Sequence, residues 1–172
     1  FLSLLKETKT PMMLLIGVKR GVNKLYNDAG DGIGTINLDY LEKILSKFPG
    51  NKFLVSCLDY RDQFKLSVLA RKFQNLKIVG FWWFNNNESI IENLLKQRFE
   101  LLGDNFIVQH SDARIIDQLV YKWLDFKSIY IKVMVEKYQK LLSLGYKIKA
   151  TDLESKINFH FEEMPKKNIR LK

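Results

Sequence analysis

The chain alternates short, unbroken apolar runs with longer stretches whose apolar residues recur at helical spacing. Met13-Leu14-Leu15-Ile16-Gly17-Val18, after Pro11, has the continuous apolar character of a strand buried on both faces. A polar stretch carrying Gly30 and Gly34 follows. Leu38, Leu41, Ile44, Leu45 and Phe48 then fall on one helical face, and Pro49-Gly50 closes that helix. A second strand is predicted over residues 52–58, leading into a helix that carries Phe64, Leu66, Val68, Leu69 and Phe73. The third, 76–81, runs into Trp82-Trp83-Phe84. Ser89 with Glu92 three residues on has the spacing of a capping box, and Gly103 sits where a helix would stop. The fourth strand is predicted over 105–110. A helical C-terminal region, 113–163, completes the pattern, with a break expected near Asp125 to Ser128. A second capping box is read at Thr151 and Glu154, and the tail after Pro165 is expected to be loose.

Strands alternating with helices predict an α/β fold with parallel strands and right-handed crossovers. About four βα units with a helical extension, read as one domain over 1–172, suit either a small open sheet or half of an eight-stranded barrel. The pattern does not choose between them.

Composition narrows the function classes. At 47% hydrophobic and 13% aromatic residues the chain can build a core, which excludes a disordered tail. No apolar run approaches the roughly 18 residues of a membrane span, so no membrane partner is expected. The chain begins at Phe1, and Phe1-Leu2-Ser3-Leu4-Leu5 lacks the basic start of a signal peptide, so it is expected to be part of a longer protein. The lone Cys57 lies in an apolar run, as a buried, inert thiol of a reducing compartment does. A net charge of +9 raises nucleic-acid binding, but the lysines are scattered singly along helical segments, and no nucleic-acid partner is expected.

In parallel α/β folds chemistry collects beyond the carboxyl ends of the strands. Those positions hold Lys19, Arg20 and Asn23; Asp59 and Arg61; Trp82, Trp83 and Asn85; and His110, Asp112 and Arg114. Arginines fork carboxylates and indoles stack on sugar rings, so this set suits a carboxylated, polyhydroxylated ligand. Each residue also has a plainer role. Asp112 could cap a helix starting at Ala113, and Arg114 could sit exposed in that helix's first turn. Of Trp82 and Trp83, strand alternation sends one inward and the other toward the helices. His110 and Asp112, two apart, would share a face. His160 is expected at the surface or facing a partner. With no His-x-His, Cys-x-x-Cys or His-Glu-x-x-His, the chain cannot complete a tetrahedral zinc site alone.

Three stretches together resemble the uronate isomerase family: Ile16-Gly17-Val18-Lys19-Arg20 with Asn23, Phe81-Trp82-Trp83-Phe84-Asn85, and Ser111-Asp112-Ala113-Arg114. The likeness continues through Asp28 to Asp31, Ala70 to Asn75 and Gln118 to Trp123, and covers most of residues 13 to 145. It implies the C-terminal half of a distorted, amidohydrolase-type TIM (β/α)8 barrel. The parent would be a cytoplasmic enzyme interconverting glucuronate with fructuronate or galacturonate with tagaturonate, using a divalent metal, zinc in most members. The resemblance makes Asp112 the metal ligand and proton carrier and Arg114 the group facing enediolate charge. Arg20, Trp82, Trp83 and Asn85 would bind the uronic acid. Leu15 stands where the best-known members have a histidine, which removes one potential ligand, and the family's His-x-His would lie before Phe1. The isolated half is expected to be inactive, and to pair with the missing N-terminal half of the barrel or form a homo-oligomer. A non-catalytic basic binding module on the same fold, or another amidohydrolase-type hydrolase, are the alternatives.

Overall fold

A computed structural model describes residues 1–169, Asp28 by its backbone only. A short helix α1 (Leu2–Glu7) leads into strand β1 (Met12–Ile16) and the two-residue strand β2 (Val18–Lys19). A 3-10 stretch (Lys24–Gly30) then reaches β3 (Gly32–Ile33), which pairs antiparallel with β2. The remaining elements are α2 (Leu38–Lys47), β4 (Phe53–Cys57), α3 (Gln63–Lys72), β5 (Leu76–Ile78), α4 (Glu88–Leu102), α5 (Ile116–Ser143), α6 (Ala150–Asn158) and α7 (Met164–Ile169). A π-helical turn (Phe159–Glu163) joins α6 to α7.

Strands β1, β4 and β5 form a parallel sheet in that order, with Met12 opposite Phe53 and Phe53 opposite Leu76. Side chains alternate across it. Phe53, Val55 and Cys57 join the main core with Leu38, Leu45, Leu66, Leu95 and Phe126 from the helices, while Leu54 meets Val79 and Ile107 in a small cluster of its own. Each fully buried side chain of this kind contributes about 1.5–3 kcal/mol. Burial pushes the Cys57 thiol up to about 12, which leaves it protonated.

The first and fourth predicted strands need correction. The run 13–18 is cut at Gly17, whose φ of 96° turns the chain and leaves Val18 to a separate strand. β1 is also not buried on both faces: Met13 and Leu15 are 42% and 44% exposed. Residues 105–110 make a single parallel bridge, Val79 to Ile107, instead of a strand. The third strand ends at Ile78 instead of residue 81, because Gly80 has a φ of 50°. A Cβ at Gly80 would lie 2.4 Å from the backbone nitrogen of His110, so only glycine lets the two segments approach this closely. Arg98, fully buried, locks the turn: it donates to the Gly80 carbonyl at 2.9 Å and to Gln63 Oε1 at 3.0 Å, with its guanidinium over Phe81. Burial lowers its pKa to about 9, which leaves it charged at neutral pH.

Further corrections fall on the helices. α5 runs unbroken for 28 residues, about 42 Å. Ser128 does not interrupt it, because its hydroxyl donates back to the Asp125 carbonyl at 2.7 Å. Asn87, and not Ser89, caps α4, accepting the Ile90 N–H. Asp152 reaches back to the Lys149 N–H at the start of α6, where Thr151 and Glu154 were expected to do so. The segment after Pro165 is helical as far as Ile169, with Asn168 buried. His160 is fully buried. Among the described residues no helix is long and apolar enough to cross a membrane.

Candidate functional site

The loops after β1, β5 and the Val79–Ile107 bridge meet over a groove of about 670 Å³. Arg20, Trp82, Trp83, Asp112, Arg114 and Lys122 are among the residues that line it. Its central contact joins two of these loops: the buried Trp82 indole donates its Nε1–H to Asp112 Oδ2 at 2.9 Å. Asp112 itself is exposed and has a φ of 44°. Asparagine and aspartate tolerate this left-handed region better than other residues with a Cβ. Among the described residues Oδ1 receives no hydrogen bond, so one carboxylate oxygen is held and the other is left unbonded. Asp112 is therefore not a helix cap. α5 begins at Ile116, and Arg114 lies in the loop before it, its backbone N–H donating to Gln118 Oε1 at 2.9 Å.

Arg20 reaches the groove from the turn after β2. Its guanidinium pairs with Asp31, which also accepts the Gly21 N–H at 2.8 Å. The Gly21 hydrogen bond, helped by Arg20, holds the Asp31 carboxyl below its ordinary range. Arg20 remains 77% exposed at its side chain, so the pairing orients the cation without hiding it.

Both indoles line the groove, 6.2 Å apart. Strand alternation does not separate them, because the chain has already left strand geometry at Gly80 and enters a 3-10 turn at Trp83, whose φ is 47°. Trp83 stacks on Phe84 at 4.6 Å. Asn85 is placed elsewhere. It is 2% exposed, and its amide donates to the carbonyls of Cys57 and Leu58 at 2.8 and 3.0 Å. That ties the 3-10 turn to the end of β4; its neighbour Asn86 lines the groove instead.

Asn23, Asp59, Arg61 and His110 do not line the groove. Arg61 forks the buried Asp59, with its closest contact at 2.7 Å, and this hydrogen bonding keeps the Asp59 carboxyl low. Asn23 accepts the Leu25 N–H. His110 lies 3.2 Å from Ser56 Oγ through Nε2, and burial lowers its pKa against the pull of Asp112. Reasoning from strand ends missed Lys122 and Gln118, which reach the groove from α5. Their spacing puts them on one helix face, but nothing in the sequence shows that this face turns toward the loop.

A divalent ion would find little here. Among the described residues no group of three or more His, Cys, Asp or Glu could hold a metal. Asp112 offers one carboxylate, already hydrogen-bonded to an indole.

No protein-family model matches the chain, and no curated protein matches it. Solved structures do. It superposes on a uronate isomerase from Bacillus halodurans C-125 with a TM-score of 0.94 and 40% identity, covering 98% of this chain and 40% of that one. A uronate isomerase from Thermotoga maritima gives 0.86 at 21% identity, over 98% of this chain and 38% of the other. A glucuronate isomerase from Caulobacter crescentus gives 0.85 at 18%, over 97% and 36%. In these last two the likeness is one of fold. The chain spans about two-fifths of the length of the structures it matches. Over nearly all of its own length, this chain resembles the C-terminal part of the uronate isomerases.

Proposed function

We propose that the chain is the C-terminal part of a uronate isomerase and that its groove is one wall of the sugar-acid site. The observation that carries this reading is the convergence of three separate segments on one groove, with Trp82 bonded to Asp112 and with Arg20 and Arg114 beside them. Those are the segments in which the sequence resembles the family. On this reading the parallel sheet is half of a distorted (β/α)8 barrel whose other strands lie outside the chain.

Aldose–ketose isomerisation moves a proton between adjacent carbons through an enediol. A carboxylate that carries the proton must be fixed within hydrogen-bond reach of it. Trp82 fixes one oxygen of Asp112 and leaves the other for the proton. Arg114 supplies positive charge where the enediolate forms, and Arg20 supplies a fork for the uronate carboxylate. The indole faces offer a platform for the sugar ring. A divalent metal such as zinc does not fit the described residues as a complete site. Asp112 would be one ligand, and the others would come from outside the chain.

The test pairs this chain with the N-terminal part of the Bacillus halodurans enzyme that it does not match. Conversion of glucuronate or galacturonate to the ketose is expected from the pair and not from the chain alone. Asp112→Ala should lower turnover by about 100-fold or more. An assembled, folded pair that converts neither acid with zinc supplied would sink the reading.

A further inference from the structure

The loop from Ser111 to Arg114 carries two of the proposed site residues and has no regular structure of its own. Two side chains of α5 hold it. Lys122 Nζ donates to the Ser111 carbonyl at 2.9 Å and to the Asp112 carbonyl at 3.3 Å. Gln118 Oε1 accepts the Arg114 N–H at 2.9 Å. Gln118 and Lys122 stand at i and i+4, one above the other on the same face of the helix. Between their two anchor points lies Asp112, with its φ of 44°. Aspartate tolerates that conformation without preferring it, so contacts from its surroundings are needed to hold it there. One ammonium bridging two successive carbonyls is such a contact, and it acts at the residue whose carboxylate must meet the Trp82 indole.

We infer that Lys122 and Gln118 are positioning residues of the site: Lys122 sets the backbone turn that aims the Asp112 carboxylate, and Gln118 sets the backbone of Arg114. The first two turns of α5 thereby serve as the template on which the loop is shaped. Both side chains border the groove, so a direct role in binding is the rival that the experiment must separate. The inference about geometry stands on the chain alone; its consequence for turnover rests on the isomerase reading.

The chain has three tryptophans, and among the described residues only the Trp82 indole N–H meets a carboxylate. In the nitrogen-15 spectrum of the labelled chain, the Nε1–H signal of Trp82 reports the Asp112 contact, and Asp112→Asn assigns it. Trp123, packed against Phe126 and Phe161, reports the fold. Lys122→Met is expected to move the Trp82 signal toward its position in Asp112→Asn while leaving Trp123 in place. Lys122→Arg, which keeps the charge and the N–H donors, should restore it. In the paired enzyme, Lys122→Met should lower kcat about 100-fold, as small misplacements of a reacting group do. KM should stay within about twofold, with partial recovery in Lys122→Arg. Gln118→Leu should give the same split, and Gln118→Glu, which keeps an acceptor oxygen, should recover.

An unmoved Trp82 signal in Lys122→Met overturns the proposal. So does collapse of all three indole signals, which would make the lysine a support of the whole fold. A raised KM at unchanged kcat would make it a binding residue instead. If the Trp82 signal moves as expected but the unmutated pair converts neither uronate, the positioning stands and the isomerase reading fails.

Discussion

His160 can be fully buried because each ring nitrogen has a partner. Tyr130 lies 2.7 Å from Nδ1 and Asp104 lies 3.0 Å from Nε2, an arrangement met when the tyrosine hydroxyl donates to Nδ1 and Nε2–H donates to the carboxylate. Phe99 and Phe106 pack around the ring, and Lys156 holds the same Asp104. Burial lowers the His160 pKa below its ordinary 6.5, against the pull of Asp104. The neutral ring is therefore the folded form. Its stabilisation is present above the unfolded pKa and is lost as pH falls toward the folded one, because the unfolded chain binds the proton first. Unfolding free energy measured in urea should thus decline from about pH 7 to about pH 5. His160→Phe should flatten part of that slope, the remainder coming from His110, whose burial acts in the same direction. The substitution should also cost about 2 kcal/mol at neutral pH, since it strands the buried Tyr130 hydroxyl. Equal slopes in the two proteins would show that His160 does not titrate with folding. None of this was legible in the sequence, where a lone histidine in an amphipathic stretch carries no sign of partners 30 and 56 residues away.

Between β5 and the 105–110 segment, two backbones meet at a glycine, and this contact can be tested against a matched control. At Gly80 an added Cβ would sit 2.4 Å from His110 N and 2.8 Å from the Gln109 carbonyl carbon, both backbone atoms that cannot swing aside. At Gly103 the φ is similarly positive, 59°, but an added Cβ would meet nothing within 4 Å. Gly103→Ala should therefore cost only the conformational penalty, about 1–3 kcal/mol. Gly80→Ala should cost more than about 3 kcal/mol in the same urea titration. Equal costs would mean the close approach is not a constraint. The contact also shows what an apolar run does and does not convey. Runs at 13–18, 52–58 and 76–81 lie on β1, β4 and β5 because continuous apolar character marks burial. Phe106, Ile107 and Val108 carry the same mark and are buried, but burial does not specify a ladder, and among the described residues only Ile107 bridges. Helical spacing identified α2, α3 and α4. It did not show that α5 is continuous, because the back-bond of Ser128 is invisible in a sequence. Strand-end reasoning reached Arg20, Trp82, Asp112 and Arg114, which the groove brings together, and Asn85, whose amide is spent on backbone carbonyls. It missed Gln118 and Lys122, since they come from a helix face whose direction only tertiary packing sets.

The sheet is asymmetric as a whole. β4 is buried at all five positions, whereas β1, among the described residues, pairs on one side only and alternates half-buried with exposed side chains. Met13 at 42% exposure sits on the face that Leu54, Val79 and Ile107 share, and Leu15 carries that face to the groove. An open strand edge beside an apolar face is a template for another chain. The net charge of +9 opposes association, but salt screens it beyond about 10 Å. Sedimentation velocity of the chain alone should therefore show self-association at tens of micromolar, about the range that a modest apolar contact supports. Met13→Lys places a charge on that face at a position the isolated chain does not bury, so it should weaken association about tenfold without lowering the chain's own stability. The N-terminal part of the Bacillus halodurans enzyme should compete for the same edge and convert the self-associated species to a one-to-one complex, which Met13→Lys also weakens. A chain that stays monomeric at about 100 micromolar would remove the edge as an interface. Self-association that Met13→Lys leaves untouched would move the contact to another surface, and the complementing half would then have to dock without using β1.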